Sequence, residues 1–306
     1  MLTFRGFIRG IKRLIISVIK NDFYGMASEM GFMMVLGIFP FMLLLMSFFG
    51  WLGNKDLMGP VLRFLATFMP EQAMDLIMTV LSEVMIFSKG RLIAIIGIFV
   101  TIFLSTNIMA VIMKGLNRAY KVDETRNFIY TRLLAFVMLI INVLVLFLGI
   151  NLIVFGKVLV NLFVTHFNMS ANIASMLLTL RWPVAFAGLF IMAFLSYYIL
   201  PDLKGNEKFK IKSAMWGTLF FCAFWLVGSW GFSVYVNNLK TYNMVYGTIG
   251  AFAVLMVWFY YTSILILIGA EINSQVYNQF NRKAHRIQND LDDLKAGRYI
   301  SKPDEE

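Results

Sequence analysis

The stretches 30–54, 92–113, 133–156, 182–201, 213–239 and 241–270 contain no Asp, Glu, Lys or Arg. At ~1.5 Å rise per residue each is long enough to cross a hydrocarbon layer of about 30 Å as a helix. The composition agrees, with 59% hydrophobic and only 14% charged residues and a mean hydropathy of +0.75, against roughly 45 to 50% apolar residues in a soluble domain. The expected fold class is therefore all-α, a polytopic membrane helix bundle of six spans, near 30–53, 92–113, 133–156, 182–201, 213–236 and 246–270. The uncharged stretch 158–180 holds Asn161, His166, Asn168, Ser170 and Asn172. It reads as an extension of the third span followed by an external loop, with a re-entrant segment as the other possibility.

Charge placement orients the set. Residues 1–29 carry 5 Lys and Arg, Lys114 to Arg132 another 5, Lys204 to Lys212 another 4 and the tail after Tyr277 another 6, a total of 20 on one side against 7 on the other. The positive-inside bias then predicts both termini in the cytoplasm. The formal charge of +10 is explained by this topology and by anionic lipid at the cytoplasmic face, so nucleic acid is not an expected partner. The single cysteine, Cys222, has no partner in the chain, and no cofactor or metal site is expected.

Outside the spans, residues 1–22 intersperse Arg5, Arg9, Lys12, Arg13 and Lys20 with apolar residues at helical spacing. They predict a basic amphipathic helix on the inner leaflet. Glu71, Asp75, Thr79 and Glu83 recur every four residues after Pro70 and predict an amphipathic external helix between spans 1 and 2. The polar tail, 279–306, is expected to have no fold of its own. Trp182 and Pro183 are expected to open the fourth span, since proline suits a first helical turn.

Ionisable groups within spans are costly, about 2.5 to 3.5 kcal/mol at a helix centre, so each needs a reason. Glu29 opens the first span and Glu271 closes the sixth. Lys114 and Arg118 leave span 2 and Arg132 starts span 3 on the same cytoplasmic side. Two readings stand for the glutamates: solvated or paired markers of helix ends, or contacts for a headgroup, an ion or a proton. Asn107 in span 2 and Asn142 in span 3 are amides of the kind that join helices in membranes. Pro40 removes one backbone hydrogen bond near the middle of span 1 and is expected to kink it. Gly247, Gly250 and Gly269 remove bulk from span 6 and allow another backbone to approach.

Tyr246-Gly247, Gly250, Trp258, Tyr260, Leu267, Gly269-Ala270-Glu271 and Asn273 together resemble the C-terminal signature of the YihY/BrkB family of bacterial inner-membrane proteins. The segments "ASEMGFMMVLGIFP" and "GSWGFSVYVNNLKTYNMVYG" are similar to that family's first helix and to its approach to the last. The chain departs from the family at Tyr197-Tyr198, where members often carry a Tyr-Arg pair, and at Phe32-Met33, where a tyrosine pair is usual. The resemblance implies six membrane helices but no settled activity. Members have been labelled a ribonuclease, a virulence or serum-resistance factor, and a transporter or lipid exporter.

Phosphodiester cleavage needs a metal-holding cluster or a paired acid and base. The chain's two histidines, His166 and His285, fall on opposite sides of the expected membrane, so no enzyme activity is expected. A carrier or flippase of a lipid, lipid-linked or other amphiphilic molecule is the leading expectation. A noncatalytic envelope scaffold or lipid-organising protein is the alternative, with ion or proton-coupled transport behind both.

Overall fold

The computed structural model describes residues 4–51, 74, 91–167, 171–238 and 240–295. Among these the chain forms seven helices and no strand: α1 (Phe4–Lys20), α2 (Phe23–Trp51), α3 (Arg91–Tyr120), α4 (Phe128–Phe167), α5 (Ala171–Ile199), α6 (Glu207–Asn238) and α7 (Lys240–Lys295). Among the described residues three segments are long and apolar enough to cross a membrane, Phe128–Leu146, Glu207–Val236 and Phe252–Asn289, and Pro183–Ile199 is a shorter apolar helix. The external helix expected after Pro70 lies outside the described residues, apart from Met74.

Local chemistry sets the helix ends. Asp22, at φ 52°, breaks α1 from α2 and its Oδ1 accepts the Gly25 N–H at 3.2 Å, capping α2. Asn127 caps α4 by accepting the Tyr130 N–H at 2.7 Å, and Asn206 accepts the Lys208 N–H at 2.9 Å at the start of α6. At the end of α3, Lys121 sits in the left-handed region at φ 58°. There the Lys121 N–H bonds the Arg118 carbonyl and the Val122 N–H the Asn117 carbonyl. This is a Schellman closure, and it satisfies two carbonyls that the helix leaves open.

Packing closes a ring. Neighbours in the chain pack in order from α2 through α7, and α7 returns to pack on α2. α3 also meets α7 across the ring, and α1 lies against α2 and α7. The core is built from Phe23, Met26, Ala27 and Met30 of α2, Leu116 and Ala119 of α3, Met138 and Leu139 of α4, and Leu255, Leu267 and Ala270 of α7, all buried. Conversely, Phe99, Val100 and Phe103 of α3 and Val227 and Trp230 of α6 are exposed. A bundle solvated by acyl chains keeps such residues outside at no penalty.

A close backbone approach joins α6 and α7. A Cβ on Gly217 would run into the Gly269 carbonyl oxygen and the Asn273 amide, and a Cβ on Gly269 would collide with the Tyr197 hydroxyl. Glycine is needed at Gly217 because backbone, not a movable side chain, occupies the space; at Gly269 the Tyr197 hydroxyl, held by its own hydrogen bond, and the Gly217 carbonyl oxygen together leave no room. Asn273 Oδ1 accepts the Gly217 N–H across this seam, and the Tyr197 hydroxyl donates to the Ile266 carbonyl at 2.9 Å, so α5, α6 and α7 meet there.

The structure departs from the sequence expectation in three places. α4 does extend beyond its span to Phe167, but residues 171–180, expected as an external loop, form the first turns of α5. Pro183 therefore lies inside α5 instead of opening it. Preceding turns of helix hold it in register, although proline donates no N–H. The tail is helical to Lys295, because Phe280 stacks on Phe209 with ring centroids 5.6 Å apart and Gln288 donates to Asp292 one turn on. α2 runs through Pro40 to Trp51, and the surroundings of Pro40 and Gly247 lie outside the described residues; Gly250 is buried.

Gly217→Ala is expected to destabilise the detergent-purified protein by about 1 to 3 kcal/mol through overpacking. Gly231→Ala, where nothing lies within 4 Å of the new Cβ, is expected to be neutral or stabilising. Thermal melts of the two variants check this. Equal tolerance would mean that the seam is not a close backbone contact.

Candidate functional site

Five helix ends, those of α2 to α6, and a point within α7 are tied together at one end of the bundle. Glu29, early in α2, receives two hydrogen bonds from Lys114 Nζ of α3, at 2.7 and 2.9 Å. Both side chains are well exposed, 38% and 59%. One turn further along α3, Arg118 Nε donates to the Asn21 carbonyl at 2.8 Å, just before α2. The α3–α4 turn is joined to the α5–α6 turn. Thr125 gives its N–H and its hydroxyl to Asp202 Oδ2 at 2.8 and 2.6 Å, and Asn117 Oδ1 accepts the Asp202 N–H at 2.8 Å. α7 joins the same end, where the Tyr277 hydroxyl donates to the Lys204 carbonyl at 3.1 Å.

Arg126 is the centre of this latch. It grips Glu124 through Nε and an Nη2 at 2.6 and 2.7 Å, and the same Nη2 donates to the Leu200 carbonyl, at 2.7 Å, as α5 ends. A cation there complements the negative end of the helix dipole. The Arg126 side-chain hydrogen bonds hold the Glu124 carboxyl below its ordinary value of 4.5. Burial pushes Asp202 up, but hydrogen bonds from Thr125 and the charges of Arg126 and Lys204 outweigh it and hold that carboxyl below 3.8. None of these five residues, Asn117, Glu124, Thr125, Arg126 and Asp202, stands out in the sequence. The Glu124-x-Arg126 spacing just after a helix stop is the one local signal; the pairing to Asp202 crosses 77 residues.

The expected site residues separate into three places. Glu29, Lys114 and Arg118 form the exposed contacts just described. Arg132, one turn into α4, donates to Asn107 Oδ1 of α3. Its guanidinium also lies 5.8 Å from the Phe103 ring centroid and 5.2 Å from that of Phe128. Glu271 is apart from both. It is 2% exposed, its Oε1 accepts from Gln275 Nε2 of its own helix at 3.1 Å, and its Oε2 is buried with no partner. The expectation that this acid closes the last helix is thus corrected. α7 continues 24 residues past Glu271 to Lys295, and α1, α2, α3 and α6 all pack on α7. Gly269, two residues earlier, forms the α6 seam.

Asn142 Oδ1 is likewise buried without a partner, while its amide approaches Met109 Sδ at 3.4 Å. Among the described residues no group of three His, Cys, Asp or Glu stands close enough to hold a metal ion.

The family model for virulence factor BrkB matches residues 16–292. This chain belongs to the virulence factor BrkB family. A putative ribonuclease-like protein of Bacillus subtilis is 30% identical over 255 residues, 83% of this chain and 90% of the relative. A membrane protein of Pseudoalteromonas atlantica is 27% identical over 65% of this chain and 63% of its own length, and one of Cronobacter sakazakii is 28% identical over 34% and 39%. No solved structure matches the chain. With its apolar helices, the chain is a membrane protein of this family.

Glu124 and Asp202 have lower carboxyl pKa values folded than unfolded, so the latch contributes fully above about pH 4.5 and is lost as pH falls through the folded values. Melting temperature is expected to drop on acidification below that point. Glu124→Gln is expected to flatten the drop in part while lowering stability at pH 7; an unchanged pH profile in that variant would exclude Glu124 as a source of it. Lys114→Gln, which breaks an exposed pair, is expected to cost less than about 1 kcal/mol in the same melts.

Proposed function

We propose that this protein is a six-span inner-membrane carrier that moves a lipid, lipid-linked or other amphiphilic molecule, with the latched end in the cytoplasm. The ends of five helices and a point within α7 meet at the latched end, in keeping with an up-and-down bundle of six spans, and the basic residues there match the positive-inside bias. The observation that carries the reading is the half-satisfied carboxylate of Glu271, the one buried acid among the described residues. An acid in that position is expensive, and a structural role would have it fully paired. A passing headgroup with a hydroxyl or amine would supply the missing partner at Oε2.

The core beside it is suited to yielding. Met26, Met30, Met34, Met109, Met113 and Met138 are all buried in α2, α3 and α4. Unbranched methionine side chains repack at low cost. The α6–α7 seam has no such freedom, so opening would take place on the α2–α3–α4 side. α1 would lie on the inner leaflet, where Lys12, Arg13 and Lys20 are exposed beside Ile15, Ile16 and Ile19. We propose further that the protein is not an enzyme. The ribonuclease-like name of the Bacillus relative would then not describe this chain, whose two histidines, His166 and His285, fall on opposite sides of the membrane in the proposed topology.

A charge-assisted hydrogen bond is worth ~1.5 to 3 kcal/mol. In vesicles carrying a fluorescent phospholipid, Glu271→Gln is therefore expected to slow lipid exchange between leaflets by roughly 10- to 100-fold relative to the wild type. Bleaching of the outer leaflet by an impermeant reductant measures it. Wild-type vesicles that bleach no further than empty ones would overturn the carrier in favour of a scaffold.

A further inference from the structure

We infer that the crevice between α3 and α4 holds the phosphate of a membrane phospholipid on Arg132, with the acyl chains lying along the exposed rings beside it. The inference rests on the membrane placement proposed above, not on transport. Arg132 lies five residues past the cap at Asn127, about 7.5 Å along the helix, which sets it where headgroups meet hydrocarbon. Among the described residues its one hydrogen-bond acceptor is the neutral Asn107, and no carboxylate pairs with it. A guanidinium carries five N–H donors. Most of them are thus left for a ligand, at a depth where an uncompensated cation is costly.

Two features make the crevice a seat instead of a snorkelling surface. The Phe103 and Phe128 rings, 60% and 72% exposed, lie within 6 Å of the guanidinium and hold it by cation–π attraction. Asn107 fixes one edge of the fork, leaving the other for bidentate phosphate contact. Towards the middle of the bundle the antiparallel helices continue the same face with Phe99 and Val100 from α3 and Phe136, one turn past Arg132, from α4, all exposed. That apolar strip follows the phosphate position as acyl chains follow a headgroup. It selects a phospholipid over a soluble phosphate, which would gain nothing from it.

The test titrates delipidated, detergent-purified protein with phosphatidylglycerol and follows bound lipid by native mass spectrometry. Wild type is expected to retain one tight lipid that Arg132→Gln binds at least ~10-fold more weakly. Arg132→Lys should fall between them, because it keeps the charge and loses the fork. Phe103→Ala, which leaves the charge in place, should also weaken the tight site and answers for the crevice if Arg132→Gln fails to fold. Lys208→Gln, at an exposed position on α6, should not change it. Diacylglycerol, which lacks the phosphate, should bind wild type and Arg132→Gln alike, and glycerol phosphate should not displace the lipid. The inference is overturned if a folded Arg132→Gln and Phe103→Ala bind the lipid as wild type does, or if glycerol phosphate competes, which would mark a soluble-phosphate site. A carrier that fails the bleaching assay but shows this binding keeps the site and loses the transport reading.

Discussion

Backbone contact between α6 and α7 is the constraint around which the bundle is arranged. Two glycines, Gly217 and Gly269, let the helices approach until one carbonyl fills the space a side chain would occupy. In lipid there is no hydrophobic drive to bring helices together, so such close van der Waals contact and a few interhelical hydrogen bonds must do it. Asn273 reaching the Gly217 N–H and Tyr197 reaching the Ile266 carbonyl supply those bonds. Because α7 also packs on α1, α2 and α3, its position at the seam sets where those helices lie.

The latched end works by a different chemistry. There the turns meet water, and charged and amide groups bond across them: Arg126 to Glu124 and to the end of α5, Asn117 and Thr125 to Asp202 and its N–H. These contacts hold helix ends together without helix-to-helix packing. Rigid at the seam and tied at one end, the bundle has its adaptable part where buried methionines line α2, α3 and α4. Arg132 and its aromatic neighbours lie on the outer surface of that part, and Glu271 lies inside the ring.

Apolar length and the absence of charge made the helical class legible, since uncharged stretches of 20 residues or more leave the chain few other ways to satisfy its backbone. Gly269 was legible as a packing position because a small residue beside an acid in a span has few other uses. The helicity of 171–180 and of the tail was not. Asn172 and Ser175, or "RKAHR" and "DLDD", are polar sequences whose state is decided by whether a neighbouring helix extends into them. Phe209 stacking on Phe280 is such a decision, made across 71 residues of chain.

Sequence alone determined that this is a membrane helix bundle, which residues are charged near helix ends, and where small residues invite contact; all of these follow from local composition and period. Only the tertiary structure decided which of those charges meet. Glu29 and Glu271, equivalent by sequence, part company: one is paired to Lys114 at the surface, the other is buried with an oxygen unpaired. The difference arises because α7 runs on beyond Glu271 and other helices cover it. Burial belongs to the packing partner as much as to the residue, and no single segment of sequence contains its partner.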